Sequence, residues 1–134
     1  MDKAMHKKIV KDITRSPEKY CGCLHELDYD DPRFEKYYKQ YKKNGFDDTE
    51  TWNLDRSIAL FILPRLKRFK EVTNGCPGYT TERKWKKTLD KMIFAFEFIC
   101  DGGKWYSPES HKKDLKKYKE GFRLFYENFE HLWW

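Results

Sequence analysis

Apolar residues recur every three or four positions along most of this chain, a spacing that predicts amphipathic helices. The first two segments with this spacing are short, and a loop rich in proline and glycine separates them. We expect one helix over residues 2–13 and another over residues 33–43, the second ended by Asn44 and Gly45. The chain therefore opens with two short helices.

Three longer segments follow, over residues 47–72, 80–103 and 107–134. Each begins with Asp, Thr or Ser, the residue types that cap helix N-termini, and Pro108 and Gly102 suit a first turn and a terminator. Their expected buried stripes are Leu54, Ile58, Phe61, Ile62, Leu66 and Phe69; Trp85, Leu89, Met92, Phe96 and Ile99; and Leu115, Tyr118, Phe122, Phe125, Phe129 and Leu132. Because strand-type alternation is absent, we predict an all-α helical bundle of three long helices plus one or two shorter N-terminal helices.

Composition narrows the class of protein. With 134 residues, of which 39% are hydrophobic and 18% aromatic, the chain is expected to form a single helical domain over residues 1–134 with a substantial core. No apolar run approaches the ~20 residues of a membrane span, and the N-terminus lacks a secretory signal, so we expect a soluble intracellular protein. The formal net charge of +6 favours anionic partners.

The four cysteines offer little metal chemistry. Cys21, Cys23 and His25 come nearest to a metal motif, but structural zinc sites use two cysteine or histidine pairs at wider spacing. In a reducing compartment the thiols are expected to stay free. We predict no disulfide, no metal and no cofactor.

The basic segment LPRLKRFK, residues 63–70, holds the most informative charges. On a helical projection Arg65 and Asp55 fall within the apolar sector, where a charge is costly unless it is paired. Asp90 and Glu97 are suitable partners for Arg65. The arrangement is therefore either a buried ion-pair network or a ligand site.

Basic residues recur at the starts of the last two long helices, and aromatic rings are interleaved among them. Guanidinium and ammonium groups bind phosphate, and aromatic faces stack on bases, so a nucleotide or nucleic acid is the expected ligand class. The candidate ligand-binding residues are Arg65, Lys67, Arg68, Lys84, Trp52, Asp55 and Trp85.

No catalytic constellation stands out. None of the four histidines follows an acid at the spacing of di-iron sites, no nucleophile lies on a recognisable turn, and no glycine-rich phosphate loop is present. We expect no enzymatic activity.

The terminal Trp133 and Trp134 are expected to dock and anchor the last helix, with an exposed interface as the competing interpretation.

The motifs W-x-L-D, L-P-R-L-K-x-F, L-D-x-M, A-F-E and a closing L-W resemble those of a small protein family encoded in tailed-bacteriophage genomes. The resemblance covers Gly45 to Trp134, the family core, and leaves residues 1–44 as a less predictable N-terminal extension. The matching positions are Trp52, Asp55, Pro64, Arg65, Phe69, Trp85, Asp90, Glu97, Glu120 and Gly121. The resemblance implies a phage protein made in the host bacterial cytoplasm, with a role in countering host defence.

Our preferred hypothesis is a non-enzymatic protein that sequesters a phosphate-bearing signalling nucleotide, held by Arg65, Lys67 and Arg68 with a stacked Trp or Tyr. The first alternative is a protein–protein inhibitor of a CRISPR or other nucleic-acid-dependent defence enzyme. The second is a nonspecific nucleic-acid binder. We expect no membrane partner, and a homo-oligomer is an option if Phe94 and Phe98 are exposed.

Overall fold

The computed structural model of the protein describes residues 1–16, 19–101 and 112–134. Five α-helices lie in these ranges: α1 (Lys3–Ile13), α2 (Pro32–Asn44), α3 (Leu54–Val72), α4 (Glu82–Cys100) and α5 (Lys112–Glu127). Short 3₁₀ turns lie between α1 and α2 (Leu24–Glu26), between α2 and α3 (Asp48–Thr51) and after α5 (Phe129–His131). No strand occurs among the described residues, so the predicted all-α architecture is confirmed.

The chain divides into two compact units, Met1–Ile58 and Ala59–Trp134, and the division falls within α3. The single domain expected from length stays a prediction. Of the helices that the structure describes, none has the length and apolar character needed to cross a bilayer.

Caps define the two helices of the first unit. The Asp2 carboxylate accepts a hydrogen bond from the Met5 amide at 2.7 Å and starts α1. Gly45 ends α2 in the left-handed conformation, with φ of 82°, which glycine adopts without steric cost. Both helices lie where the apolar spacing predicts them.

A buried polar network joins the loops of this unit. The Tyr20 hydroxyl donates to the Asp47 carboxylate at 2.5 Å, and Thr49 donates to the same carboxylate through its amide and hydroxyl. Asp47 is almost fully buried, and the Tyr20 oxygen also accepts from the Leu24 amide at 3.1 Å. A Cβ at Gly22 would overlap the hydroxyls of Tyr20 and Thr49, so glycine is needed at this close approach.

In the second unit α4 is the central helix. Thr81 caps it, and all five residues of its predicted stripe are buried. Phe94 and Phe98 lie on another side of α4 and are half-buried beneath α5. The Phe98 ring stacks on Tyr118 at 5.0 Å, and the Lys117 ammonium lies 5.6 Å from the Phe94 ring centroid.

The closest packing in this unit is between α4 and α5. A Cβ at Gly121 would overlap the carbonyl oxygen of Lys91 and lie 2.9 Å from the Cβ of Ala95. Beside this point Lys91 pairs with Glu120 at 3.0 Å. Glycine therefore sets how closely α5 approaches α4.

The predicted stripe of α5 is wrong in part. Phe122 and Phe129 are exposed, whereas Phe125 and Leu124 are partly buried against the core. The face centred on Gly121 turns toward α4, and this rotation leaves part of the aromatic stripe outside. The suggested start signals Ser107 and Pro108, and the terminator Gly102, lie outside the described residues.

The stripe of α3 is also corrected. Leu54, Ile58 and Phe61 are exposed, while Ala59 and Leu66 are buried. Because the core-facing side of α3 is turned toward Ala59, the sector that holds Asp55 and Arg65 faces solvent, and both side chains are exposed. The expectation that these two charges lie on a buried stripe is therefore wrong.

We predict that Gly121→Ala lowers the free energy of unfolding by about 1–3 kcal/mol, because the added methyl group meets backbone that cannot move aside. Gly78→Ala is the matched control, since no atom lies within 4 Å of its added Cβ. Thermal unfolding followed by circular dichroism measures both. Equal melting temperatures for the two variants would contradict the close approach.

We predict that Tyr20→Phe lowers the free energy of unfolding by about 1–3 kcal/mol, because a buried carboxylate loses a donor. Tyr38→Phe is the control, since its hydroxyl makes no hydrogen bond within the part of the chain that the structure describes. Chemical denaturation measures the difference. An equal loss in both variants would show that the Tyr20 hydroxyl is not specifically required.

Candidate functional site

Arg65, the central candidate of the sequence analysis, lies along its own helix. Its Nη1 donates to the carbonyl oxygen of Phe61 at 2.8 Å, and its guanidinium carbon lies 3.7 Å from the centroid of the Phe61 ring. This geometry is a cation–π contact. The expected pairing of Arg65 with Asp90 or Glu97 is wrong.

Lysines of α3 hold those two carboxylates instead. Lys67 pairs with Glu97 at 3.1 Å, and Lys70 pairs with Asp90 at 2.5 Å. Arg68 pairs with Glu71 on the same helix at 2.9 Å. Lys67, Arg68 and Lys70 thus form surface ion pairs, each of which typically contributes only about 0–1 kcal/mol.

The other candidates are dispersed. Trp85 is 2% exposed and belongs to the core, which weighs against stacking of a ligand on its face. Trp52 is 85% exposed and lies with Asp55 in the first unit, whereas Lys84 is exposed at the start of α4 in the second. The seven predicted residues are therefore divided between the two units.

A concave site of about 200 Å³ lies at one end of the second unit. We call it the aromatic groove; it is lined by Thr73, Asn74, Gly75, Cys76, Pro77, Trp85, His131, Trp133 and Trp134. A second cavity, of about 340 Å³, shares Trp85 and His131 with the groove and extends to Tyr79, Thr88 and Glu127. Neither is lined by Arg65, Lys67 or Arg68.

Asn128 lines the second cavity and joins the end of α5 to the loop before α4. It is buried, its amide donates to the Leu124 carbonyl at 2.9 Å, and its side-chain oxygen accepts from the Tyr79 hydroxyl. The Tyr79 ring meets His131 edge-on at 5.4 Å. These contacts hold the 3₁₀ turn after α5 against the loop and so position His131.

Charges near the second cavity are of both signs. Partial burial, and then the charge of Glu127, raise the pKa of the Tyr79 hydroxyl, which therefore remains a donor. Glu127 itself accepts two hydrogen bonds from Arg123 at 2.9 Å. Lys84 lies on α4 one turn before Thr88, a lining residue whose hydroxyl donates to the Lys84 carbonyl at 3.1 Å.

The two terminal indoles contradict the docking expectation. Trp133 and Trp134 are 75% and 69% exposed, although both line the groove. The competing interpretation, an exposed interface, agrees better with this placement. Sequence reasoning missed the groove because its lining comes from the loop before α4, from Trp85 and from residues after α5, which lie far apart in the sequence.

The cysteine motif of the first unit is not assembled for metal binding. The Cys21 thiol donates to the Ser57 hydroxyl at 3.0 Å, and burial raises the pKa of Cys21 and of Cys23. Over residues 1–16, 19–101 and 112–134, no group of three or more His, Cys, Asp or Glu is placed to hold an ion.

Comparison with protein-family models, with curated proteins and with solved structures finds no match to this chain.

We predict that replacing Trp133 and Trp134 together by alanine changes the free energy of unfolding by less than about 1 kcal/mol, because both side chains are largely exposed. Trp85→Ala should cost about 3–5 kcal/mol, since it empties the core. Thermal unfolding compares the two. A large loss in the double variant would restore the anchoring hypothesis.

Proposed function

We propose that this protein is a non-enzymatic binding protein whose ligand is a phosphate-bearing nucleotide held at the aromatic groove. One observation carries the proposal: two largely exposed indoles and an imidazole surround a concave site large enough for a planar ring. Sites for small molecules are concave and rich in aromatic side chains.

Stacking of a base on the indoles contributes to the free energy of binding. Contact between a base and an aromatic side chain is worth about 1–3 kcal/mol per base. Trp133 and Trp134 are exposed to water without a ligand, so a bound ring would also remove apolar surface from solvent. Trp133 and Trp134 therefore take the stacking role that the sequence analysis gave to a Trp or Tyr.

The phosphate is bound by a cation outside the basic segment of residues 63–70. Lys67, Arg68 and Lys70 are already engaged by carboxylates. Lys84 makes no ion pair among the described residues, and it precedes the lining residue Thr88 by one helical turn. Residues four apart share a helix side, so the Lys84 ammonium is the cation best placed to meet a phosphate beside the groove.

The biological role follows from the resemblance to tailed-phage proteins alone. In that setting, a host cytoplasm, a protein that binds a nucleotide without converting it would act by sequestering a defence signal. We propose this role for the present chain.

Both alternatives of the sequence analysis stay predictions. Recovery of a host enzyme with the tagged protein would favour an inhibitor, whereas binding to polynucleotides that falls steeply with added salt would favour a nucleic-acid binder.

The test is calorimetric titration with a panel of cyclic and ADP-ribose-type nucleotides. We expect saturable heat with at least one of them. Replacing Trp133 and Trp134 by alanine should weaken its binding about tenfold or more through lost stacking. Lys84→Glu should also weaken binding because it places a negative charge near the phosphate.

Lys43→Glu is the control for charge, since Lys43 is an exposed lysine of the first unit. This variant should bind as the wild type does. No heat with any nucleotide, or unchanged binding in the tryptophan variant, would contradict the proposal.

A further inference from the structure

Exposed basic side chains form a row along α5. Lys112, Lys116 and Lys119 are exposed, and their spacing of four and three residues places them on one side of the helix. Tyr126 follows Lys119 by two helical turns on the same side, and it is 81% exposed. We call these four residues the basic row. The row extends over about 21 Å of the helix, at about 1.5 Å per residue.

The basic row is turned away from the core of the second unit. Gly121, which packs against α4, falls on the opposite side of α5 from the row. Asp114 falls on that opposite side as well. The row is therefore directed to solvent, where a partner can reach it.

Positive charge is concentrated around the row. Residues 112–123 contain five lysines and one arginine against one aspartate and one glutamate, a net charge of +4 in a chain whose total is +6. The glutamate, Glu120, pairs with Lys91 of α4 at 3.0 Å. The three lysines of the row make no ion pair within the described part of the chain. They are therefore available to an anionic partner.

Arg123 lies between Lys119 and Tyr126 on the same side of α5, but its Nη1 donates to both carboxylate oxygens of Glu127 at 2.9 Å. The row thus has three unpaired cations, about one per helical turn of about 5.4 Å. This arrangement suits a partner whose negative charges recur along a chain. Lysines bind phosphates as point charges and carry no information about base sequence.

Tyr126 favours nucleic acid over other polyanions. Its ring makes no ring contact within the described ranges, so an unpaired base can stack on it. An anionic lipid surface is less suitable, because it would also meet Glu130. That carboxylate is exposed one turn beyond Tyr126 and makes no ion pair among the described residues. A single strand can end at Tyr126 and avoid it.

We propose that the basic row binds single-stranded nucleic acid, with phosphates at Lys112, Lys116 and Lys119 and a base stacked on Tyr126. None of these residues lines the aromatic groove. The row is therefore a second binding surface, and it does not depend on the nucleotide proposed for the groove. Binding at the row is independent of base sequence.

Fluorescence anisotropy of a labelled oligothymidylate, titrated with the full chain, tests the proposal. We expect saturable binding that weakens with added salt. Three neutralised phosphates on a single strand predict a slope of about −2 when the logarithm of affinity is plotted against that of salt concentration. An abasic strand of equal length, which keeps the phosphates, should bind about tenfold more weakly through lost stacking.

Reversal of charge tests the lysines. Lys112→Glu combined with Lys116→Glu should weaken binding about tenfold or more and make the salt slope shallower, because two phosphate contacts are lost. Lys7→Glu combined with Lys11→Glu is the matched control, since these exposed lysines of the first unit are also four residues apart on a helix. The control changes the net charge equally and should keep most of the affinity. Equal losses in the two variants would overturn the proposal.

Removal of the ring tests stacking. Tyr126→Ala should weaken binding of oligothymidylate about tenfold and leave the salt slope unchanged, because stacking releases no counterions. This variant should no longer distinguish oligothymidylate from the abasic strand. Tyr126→Phe keeps the ring and should bind as the wild type does. Trp52→Ala, at an exposed ring of the first unit, should also leave binding unchanged.

Circular dichroism confirms that each variant is folded. The variant that lacks Trp133 and Trp134 should bind the strand normally, and loss of binding there would overturn the separation of the row from the groove. No binding of oligothymidylate, or unchanged binding in Tyr126→Ala, would overturn the proposal. Binding to phosphatidylserine vesicles without binding to the strand would overturn it too and assign the row to a lipid surface.

Discussion

The close approach of α5 to α4 at Gly121 is the constraint on which the second unit depends. With no side chain there, α5 lies against the Lys91 carbonyl and Ala95. The same rotation of α5 directs Leu124 and Phe125 inward. It also brings Asn128 to the loop before α4, where its side-chain oxygen accepts a hydrogen bond from the Tyr79 hydroxyl. The groove at the end of the unit is thus a consequence of helix packing.

The basic charge of the chain is used in two ways. Along α3, Lys67 and Lys70 connect that helix to α4 by ion pairs with Glu97 and Asp90. These pairs orient neighbouring helices and leave those cations less available to a ligand. Lysines at the starts of α4 and α5 make fewer such pairs within the described residues, and they supply positive potential that favours an anionic ligand.

Several large aromatic side chains of the second unit are not buried. Trp85 and Phe96 fill its interior, whereas Trp133, Trp134, Phe122, Tyr126 and Phe129 are exposed. Leaving large rings exposed forgoes the free energy of burial. A ligand at the groove would recover part of it.

The sequence by itself determined the helices and some of their ends: the spacing of apolar residues marks each segment, and Gly45 and Thr81 end and begin helices through local chemistry. Other ends differ from the prediction, since α3 begins at Leu54 and not near residue 47, and α5 ends at Glu127 and not at the last residue. It also identified the buried side of α4, where five residues share one narrow stripe. Only the tertiary structure decided which side of α3 and of α5 is buried, where Arg65 points, and that the groove forms between the loop before α4 and the residues after α5. Both helices carry apolar residues on more than one side, so the choice among those sides depends on how closely a neighbouring helix can approach. For α5 that distance is set by Gly121 and its contacts on α4, which periodicity along one helix does not encode.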